Sequence, residues 1–235
     1  MARKRPSNLL ALPVLACLYE RPMHPYEMAS VMRKRGKHES IKLNYGSLYS
    51  VVETLERRGL IEAQETQREG RRPERTIYAL TDAGAAMLLD WMRELLSVPV
   101  KEYTSFEAAL ALMPVLPPEE VQDLLEQRCV GLEIEIRQLQ ATRDVAAEHG
   151  LPRLFSVEGE YWLALRETEL AWVSALIKEI AAGSLDGLAE WRAFHAARES
   201  GEIEQLVREL EQRLNWTHVL DAEGEEGPEN DVVNA

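Results

Sequence analysis

The sequence predicts a mainly α protein: an N-terminal winged helix-turn-helix with a small β-hairpin wing, followed by an all-α C-terminal dimerisation domain. Three observations predict it. Within residues 1–96 the pattern reads helix, helix, helix, hairpin, helix. From residue 105 onward the apolar spacing is helical. The charge is divided as well. Residues 1–86 hold 15 Lys and Arg against 10 Asp and Glu, a net of +5, and the remainder holds 12 against 30, a net of −18.

The apolar run Leu9 to Tyr19 predicts the first helix, with Ser7 or Asn8 as its cap. Pro13 suits a first turn or a kink, so the helix starts near Leu12 or bends there, and Arg21-Pro22 breaks it. A second helix begins at His24-Pro25, because proline at the first helical position loses no hydrogen bond. Tyr26, Met28, Ala29 and Met32 are expected to supply its buried contacts, and Gly36 ends it. The third helix runs from a cap at Asn44 to Gly59, with Leu48, Val51, Val52 and Leu55 as one buried stripe. Residues 60–64 and 75–80 read as two strands around a basic, glycine-containing turn, the wing. Thr81 then caps a helix from Asp82 to about Leu96.

Residues 97–104, with Pro99, read as a linker. A short helix from Ser105 to Met113 precedes Pro114. Pro117-Pro118-Glu119-Glu120 opens a long helix to about His149, and another runs from about Glu158 to Ala182. Two long amphipathic helices with a short break predict an antiparallel pair. More helix is expected from Leu185 to Leu220, interrupted at Ser200-Gly201. The domains are therefore 1–96, a linker 97–104, a helical dimerisation and effector domain 105–220, and a disordered acidic tail 221–235.

Composition narrows the function classes. At 235 residues, 46% hydrophobic and 29% charged, the chain suits two modest soluble domains. No run reaches the roughly 18 apolar residues of a membrane span. The basic start Met1 to Pro6 and the apolar run after it look like a leader, but no small-residue cleavage site follows, so a cytoplasmic protein is expected. Cys17 and Cys129 form no CxxC pair and are read as reduced, buried thiols. The five histidines lack metal spacing, and His24 is read as a helix cap. No glycine-rich phosphate loop or nucleophile elbow appears, so neither an enzyme nor a cofactor is expected. The net charge of −13 argues against a nucleic-acid partner, and only the basic N-terminal third restores one.

An α-helix fits the major groove, and a hairpin tip reaches the backbone or minor groove beside it. The third helix offers free N–H groups and a positive dipole end toward phosphate. Around that end, Lys42, Asn44, Tyr45, Ser47 and Tyr49 can bond phosphates or bases. On the wing, Arg68, Arg71, Arg72 and Arg75 can neutralise phosphates and release counterions. Arg3-Lys4-Arg5 is either a minor-groove arm or a solvated tail. Trp91, Trp162, Trp172, Trp191 and Trp216 are read as packing residues of the core or a dimer interface rather than an effector pocket. A winged helix that joins protein partners without binding DNA is the competing reading.

Four stretches carry a resemblance. Pro22-Met23-His24-Pro25-Tyr26-Glu27-Met28, Gly46-Ser47-Leu48-Tyr49, Leu55-Glu56-Arg57-Arg58-Gly59-Leu60-Ile61 and Tyr78-Ala79-Leu80-Thr81-Asp82-Ala83-Gly84 together resemble the PadR family over residues 9–85. The Leu124-Leu125-Glu126-Gln127-Arg128 run and the tryptophan-rich last helix resemble the helical C-terminal domain of its longer branch. The resemblance implies a homodimeric regulator, usually a repressor, that releases double-stranded operator DNA when a small-molecule effector binds. It also implies DNA contacts from the third helix and the wing. Residues 185–220 extend past the family's usual C-terminal domain.

Overall fold

The computed structural model describes residues 6, 8–36, 45–67, 75–204 and 208. The chain divides into two compact units, Met1–Glu102 and Tyr103–Ala235.

In the first unit, α1 (Ala11–Glu20), α2 (Pro25–Lys34), α3 (Tyr45–Arg57) and α4 (Asp82–Ser97) surround one apolar core with the hairpin β1 (Ile61–Gln67) and β2 (Arg75–Leu80). Pro13 falls in the first turn of α1, where it removes no hydrogen bond. The Asn8 side chain accepts from Leu10 N at 2.9 Å, one residue before the helix. His24 caps α2 through Nδ1, which accepts from Tyr26 N at 3.1 Å. The stripe Leu48, Val51, Val52 and Leu55 is buried against Leu15, Met28 and Ile61, as its spacing predicts. Burying each such side chain contributes roughly 1.5–3 kcal/mol.

Tyr26 departs from the expectation. It is 62% exposed. It lies in the first turn of a ten-residue helix, and α2 buries Pro25, Met28, Ala29 and Met32 instead. Cys17 is buried as expected, and burial pushes its thiol up to about 11, so it stays protonated at neutral pH. Cys129 is only half-buried, its Sγ 3.7 Å from Ser174 Oγ.

In the second unit, α5 (Ser105–Ala111) and a 3-10 turn (Met113–Val115) lead to α6 (Pro118–Glu148). A 3-10 turn (Arg153–Phe155), α7 (Val157–Ala182) and α8 (Leu188–Ser200) follow. The first 3-10 turn replaces the end of the helix expected to reach Met113, because Pro114 has no N–H to continue the α ladder. α6 and α7 are antiparallel. Arg128 pairs with Glu169, Glu135 with Arg166 and with Trp162 Nε1 at 2.8 Å, and Gln140 with Glu167 at 3.2 Å. From Arg128 to Glu135 the partner number falls from Glu169 to Arg166 and Trp162, as an antiparallel pair requires. Two half-buried guanidiniums share Glu169, and Arg166 stacks on Trp162 at 4.0 Å. This polar set adds directional contacts between α6 and α7 beside their apolar packing.

Val121, Leu125, Val173, Ile180, Leu188 and Trp191 form the second core. Trp91 and Trp191 are buried, as packing residues should be, but Trp162 and Trp172 are 40% and 50% exposed. Leu165 is exposed as well. α7 is apolar on more faces than α6 and α8 cover. Trp216 and the acidic tail lie outside the described residues.

Candidate nucleic-acid interface

The buried stripe of α3 fixes its rotation about its own axis. With Leu48, Val51, Val52 and Leu55 inward, Gly46, Tyr49, Ser50, Glu53 and Arg57 face outward. The two ends of that outer face differ. Its N-terminal half carries Tyr49, 45% exposed, and Ser50, while farther along it carries Glu53, with Glu56 beside it. Carboxylates repel a phosphate backbone, so only the N-terminal half suits DNA. Ser50 Oγ is turned back on the helix, donating to Gly46 O at 3.3 Å. Thr54 Oγ1 donates to Ser50 O at 2.8 Å.

Of the residues expected to touch DNA, Ser47 is half-buried at the edge of the stripe and Tyr49 stands on the exposed face. Tyr45 is placed by its backbone as the first residue of α3, and Arg75 as the first of β2. Lys42, Asn44, Arg68, Arg71 and Arg72 lie outside the described residues, as does the Arg3-Lys4-Arg5 arm.

The end of α3 and the base of the hairpin meet in a tight hub. Gly59, at φ +65°, lets the helix stop. Leu60 N donates to Leu55 O at 3.0 Å and Gly59 N to Glu56 O at 2.8 Å, and the buried Leu55 and Leu60 accompany this stop. Thr81 then does two things. Its Oγ1 accepts from Gly84 N at 3.1 Å, capping α4, and reaches Gly59 O at 2.9 Å and Leu60 O at 3.0 Å as donor. Gly84 completes the hub, because a Cβ there would lie 2.0 Å from Leu60 O and 2.7 Å from Leu80 Cδ1.

The hairpin is held on its other side too. Met23 and Tyr78 exchange backbone hydrogen bonds, each 3.1 Å, which adds a bridge before α2 to the two-stranded sheet. Burial, then Glu56 and Glu53, push the Tyr78 phenol above its usual range, so it stays neutral. The ladder pairs Ile61 with Leu80 and Ala63 with Tyr78, then slips by one residue at Gln64 and resumes with Glu65 opposite Ile77. Such a bulge bends and twists a strand. None of this bridge, bulge or close approach carries a local sequence signal beyond the glycine in Thr81-Asp82-Ala83-Gly84.

The profile of the Transcriptional regulator PadR-like family matches residues 14–90. Those residues form a PadR-like domain. No curated protein sequence matches the chain. Among solved structures, Bacillus subtilis PadR in complex with operator DNA matches with TM-score 0.57 and 19% identity, over 75% of this chain and 99% of that one. The same protein in complex with p-coumaric acid gives 0.59 and 16%, over 73% and 98%. The Vibrio cholerae virulence activator AphA gives 0.56 and 17%, over 74% and 98%. At these identities they show a shared fold. The hub thus joins the third helix and the hairpin of a PadR-like domain, and all four stretches that carry the sequence resemblance lie within residues 14–90.

Proposed function

We propose that the chain is a homodimeric, sequence-specific DNA-binding transcriptional regulator, acting as a repressor that leaves its operator when a small molecule binds. The observation that carries it is the α3 face. The outer face of its N-terminal half is free of carboxylates, and the hub ties it to a hairpin whose sequence tip is basic. Residues 1–96 are assigned to DNA binding, 97–104 to a linker, and 105–220 to dimerisation and effector response. Lys42, Asn44, Tyr45, Ser47, Tyr49, Arg68, Arg71, Arg72 and Arg75 are the proposed DNA contacts. The cytoplasm is the proposed compartment. Among the described residues no helix is long and apolar enough to cross a membrane.

Titration of DNA from upstream of the protein's own gene, followed by fluorescence anisotropy over a salt series, tests this reading. Arg72→Ala is expected to weaken binding to every sequence and to lower the salt slope by about one unit. Ser47→Ala or Tyr45→Phe is expected to change sequence preference with the slope retained. If the two kinds of variant behave identically, the division between phosphate positioning and base reading is wrong. Absence of binding to any DNA would leave the protein-interaction module as the better reading.

A dimer is supported by the apolar side chains that α6 and α7 leave outward, among them Val130, Ile134, Leu165 and Trp172. Light scattering at micromolar concentration is expected to give twice the 26.7 kDa chain mass. Two-fold symmetry then sets the recognition helices about 34 Å apart along the duplex. A clean monomer at that concentration would contradict the proposal.

A further inference from the structure

One helix reaches back to a short, distant stretch with three polar contacts. From α8, Trp191 Nε1 donates to Leu116 O at 2.8 Å and Arg192 Nε to Glu119 Oε1 at 3.0 Å, and His195 Nε2 lies 3.0 Å from Pro114 O. A carbonyl only accepts, so Nε2 carries the proton in that last contact. Their common target is the elbow between α5 and α6.

That elbow is weak in its own right. Pro114, Pro117 and Pro118 supply no backbone N–H. The local bonds are Val115 N to Leu112 O at 3.0 Å, Leu116 N to Met113 O at 3.2 Å and Val121 N to Pro117 O at 3.0 Å. On its inner side the elbow lines a cavity of about 230 Å³ with Phe106, Met113, Leu116, Val121, Leu125 and Arg128. α8 itself is anchored by burial of Leu188 and Trp191 against Val121, Leu125, Val173 and Ile180. Closing that core requires only the two apolar side chains. Contacts to two elbow carbonyls and to the first turn of α6 go further. About a quarter of this chain lies outside the match to B. subtilis PadR, whose own chain is covered over 99% of its length.

We infer that α8 is a clasp that holds the α5–α6 elbow formed, and that opening it weakens operator binding. α5 begins eight residues after α4, and the elbow that follows it lies on the chain's one covalent route from the PadR-like domain to the long helix pair. The second half of this inference rests on the DNA-binding function proposed above. The first half does not.

The test uses the full chain. Trp191→Phe keeps the ring packing and deletes the N–H donor, and Arg192→Gln deletes the ion pair. Ala193→Gln, at an exposed position of the same helix that makes none of the three contacts, is the control. In the Trp191→Phe, Arg192→Gln double variant, hydrogen exchange at Val115, Leu116 and Val121 is expected to quicken about tenfold. Amides of α7 between Leu163 and Leu170 and the control protein should exchange at the wild-type rate. Operator dissociation constants should rise about threefold or more. Unchanged exchange at the elbow, or acceleration spread evenly through α6 and α7, overturns the clasp. A quicker elbow with unchanged operator affinity overturns its control of DNA binding. If the wild-type chain binds no DNA, the proposed function fails, and the exchange measurement alone decides the clasp.

Discussion

Gly84→Ala is expected to destabilise the DNA-binding unit by about 3 kcal/mol, at the upper end of ordinary overpacking. The added carbon would sit 2.0 Å from Leu60 O, and that oxygen cannot retreat freely. Thr81 N donates to it at 3.2 Å, Thr81 Oγ1 also reaches it, and Leu60 is itself buried behind the stop of α3. Relief therefore means moving the first turn of α4 away from the end of α3, which opens the hub. For a unit of this size the loss corresponds to roughly 10 °C or more in melting temperature. Operator binding should fall at the same time, because the hairpin loses its fixed place beside α3. Gly131→Ala is the matching control. It lies within α6 with nothing within 4 Å of the added carbon, and should be neutral or stabilise by up to about 1 kcal/mol. A calorimetric melt of Gly84→Ala within about 2 °C of wild type would sink the close-packing account.

Val173→Asp is expected to collapse the second unit. Val173 is 0% exposed, enclosed by Val121, Leu125, Ile180, Leu188 and Trp191, and that core cluster offers a carboxylate no partner. Burying an unpaired charge there costs about 4 kcal/mol. The expected readouts are loss of the unit's cooperative melt and a change in the mass seen by light scattering. The pH dependence has a definite sign. Burial disfavours the charged form, so the introduced carboxyl has a folded-state pKa above its unfolded value. The deficit is complete above the folded pKa and shrinks as pH falls through it. Partial recovery of the melt between about pH 6 and pH 4 is therefore expected. Val173→Ala, which leaves a small cavity, should cost roughly 2 kcal/mol with no such recovery. Identical pH profiles for the two variants would place Val173 outside an apolar core.

Much of the first unit is legible because its signals are local. The spacing of Leu48, Val51, Val52 and Leu55, the stop at Gly59 and the caps at His24 and Thr81 depend on residues within a turn or two of one another. What the sequence hides is contact at long separation. Thr81 is readable as a cap, but its bond to Gly59, 22 residues away, is not. Gly84 is readable as a glycine near a helix start, whereas the Leu60 carbonyl that forbids a side chain there is not. β1 runs three residues past the expected strand, through Glu65, Thr66 and Gln67, because the partner strand supplies a ladder that their own propensities do not. Tyr26 is expected among the buried contacts of α2 but stands exposed, off the face that Pro25, Met28, Ala29 and Met32 bury. Of the proposed interface, Ser47 and Tyr49 are set on α3 and Arg75 at the start of β2. In the second unit the helix spacing announces α6 and α7, but nothing local announces that α8 returns to the elbow, 73 to 81 residues upstream.

The slip at Gln64 has a bearing on how such a regulator diverges. Gly59, Thr81 and Gly84 lock the hairpin at its root, while the extra residue lies partway along β1 and shifts the backbone pairing beyond it by one. Root and aim are thus separate variables. Deleting one residue at Gln64 would turn the outer part of the strand by half a pleat without touching the root. A lineage could retarget its wing to a new operator by insertion or deletion at one position, with the hub left intact as inherited scaffold.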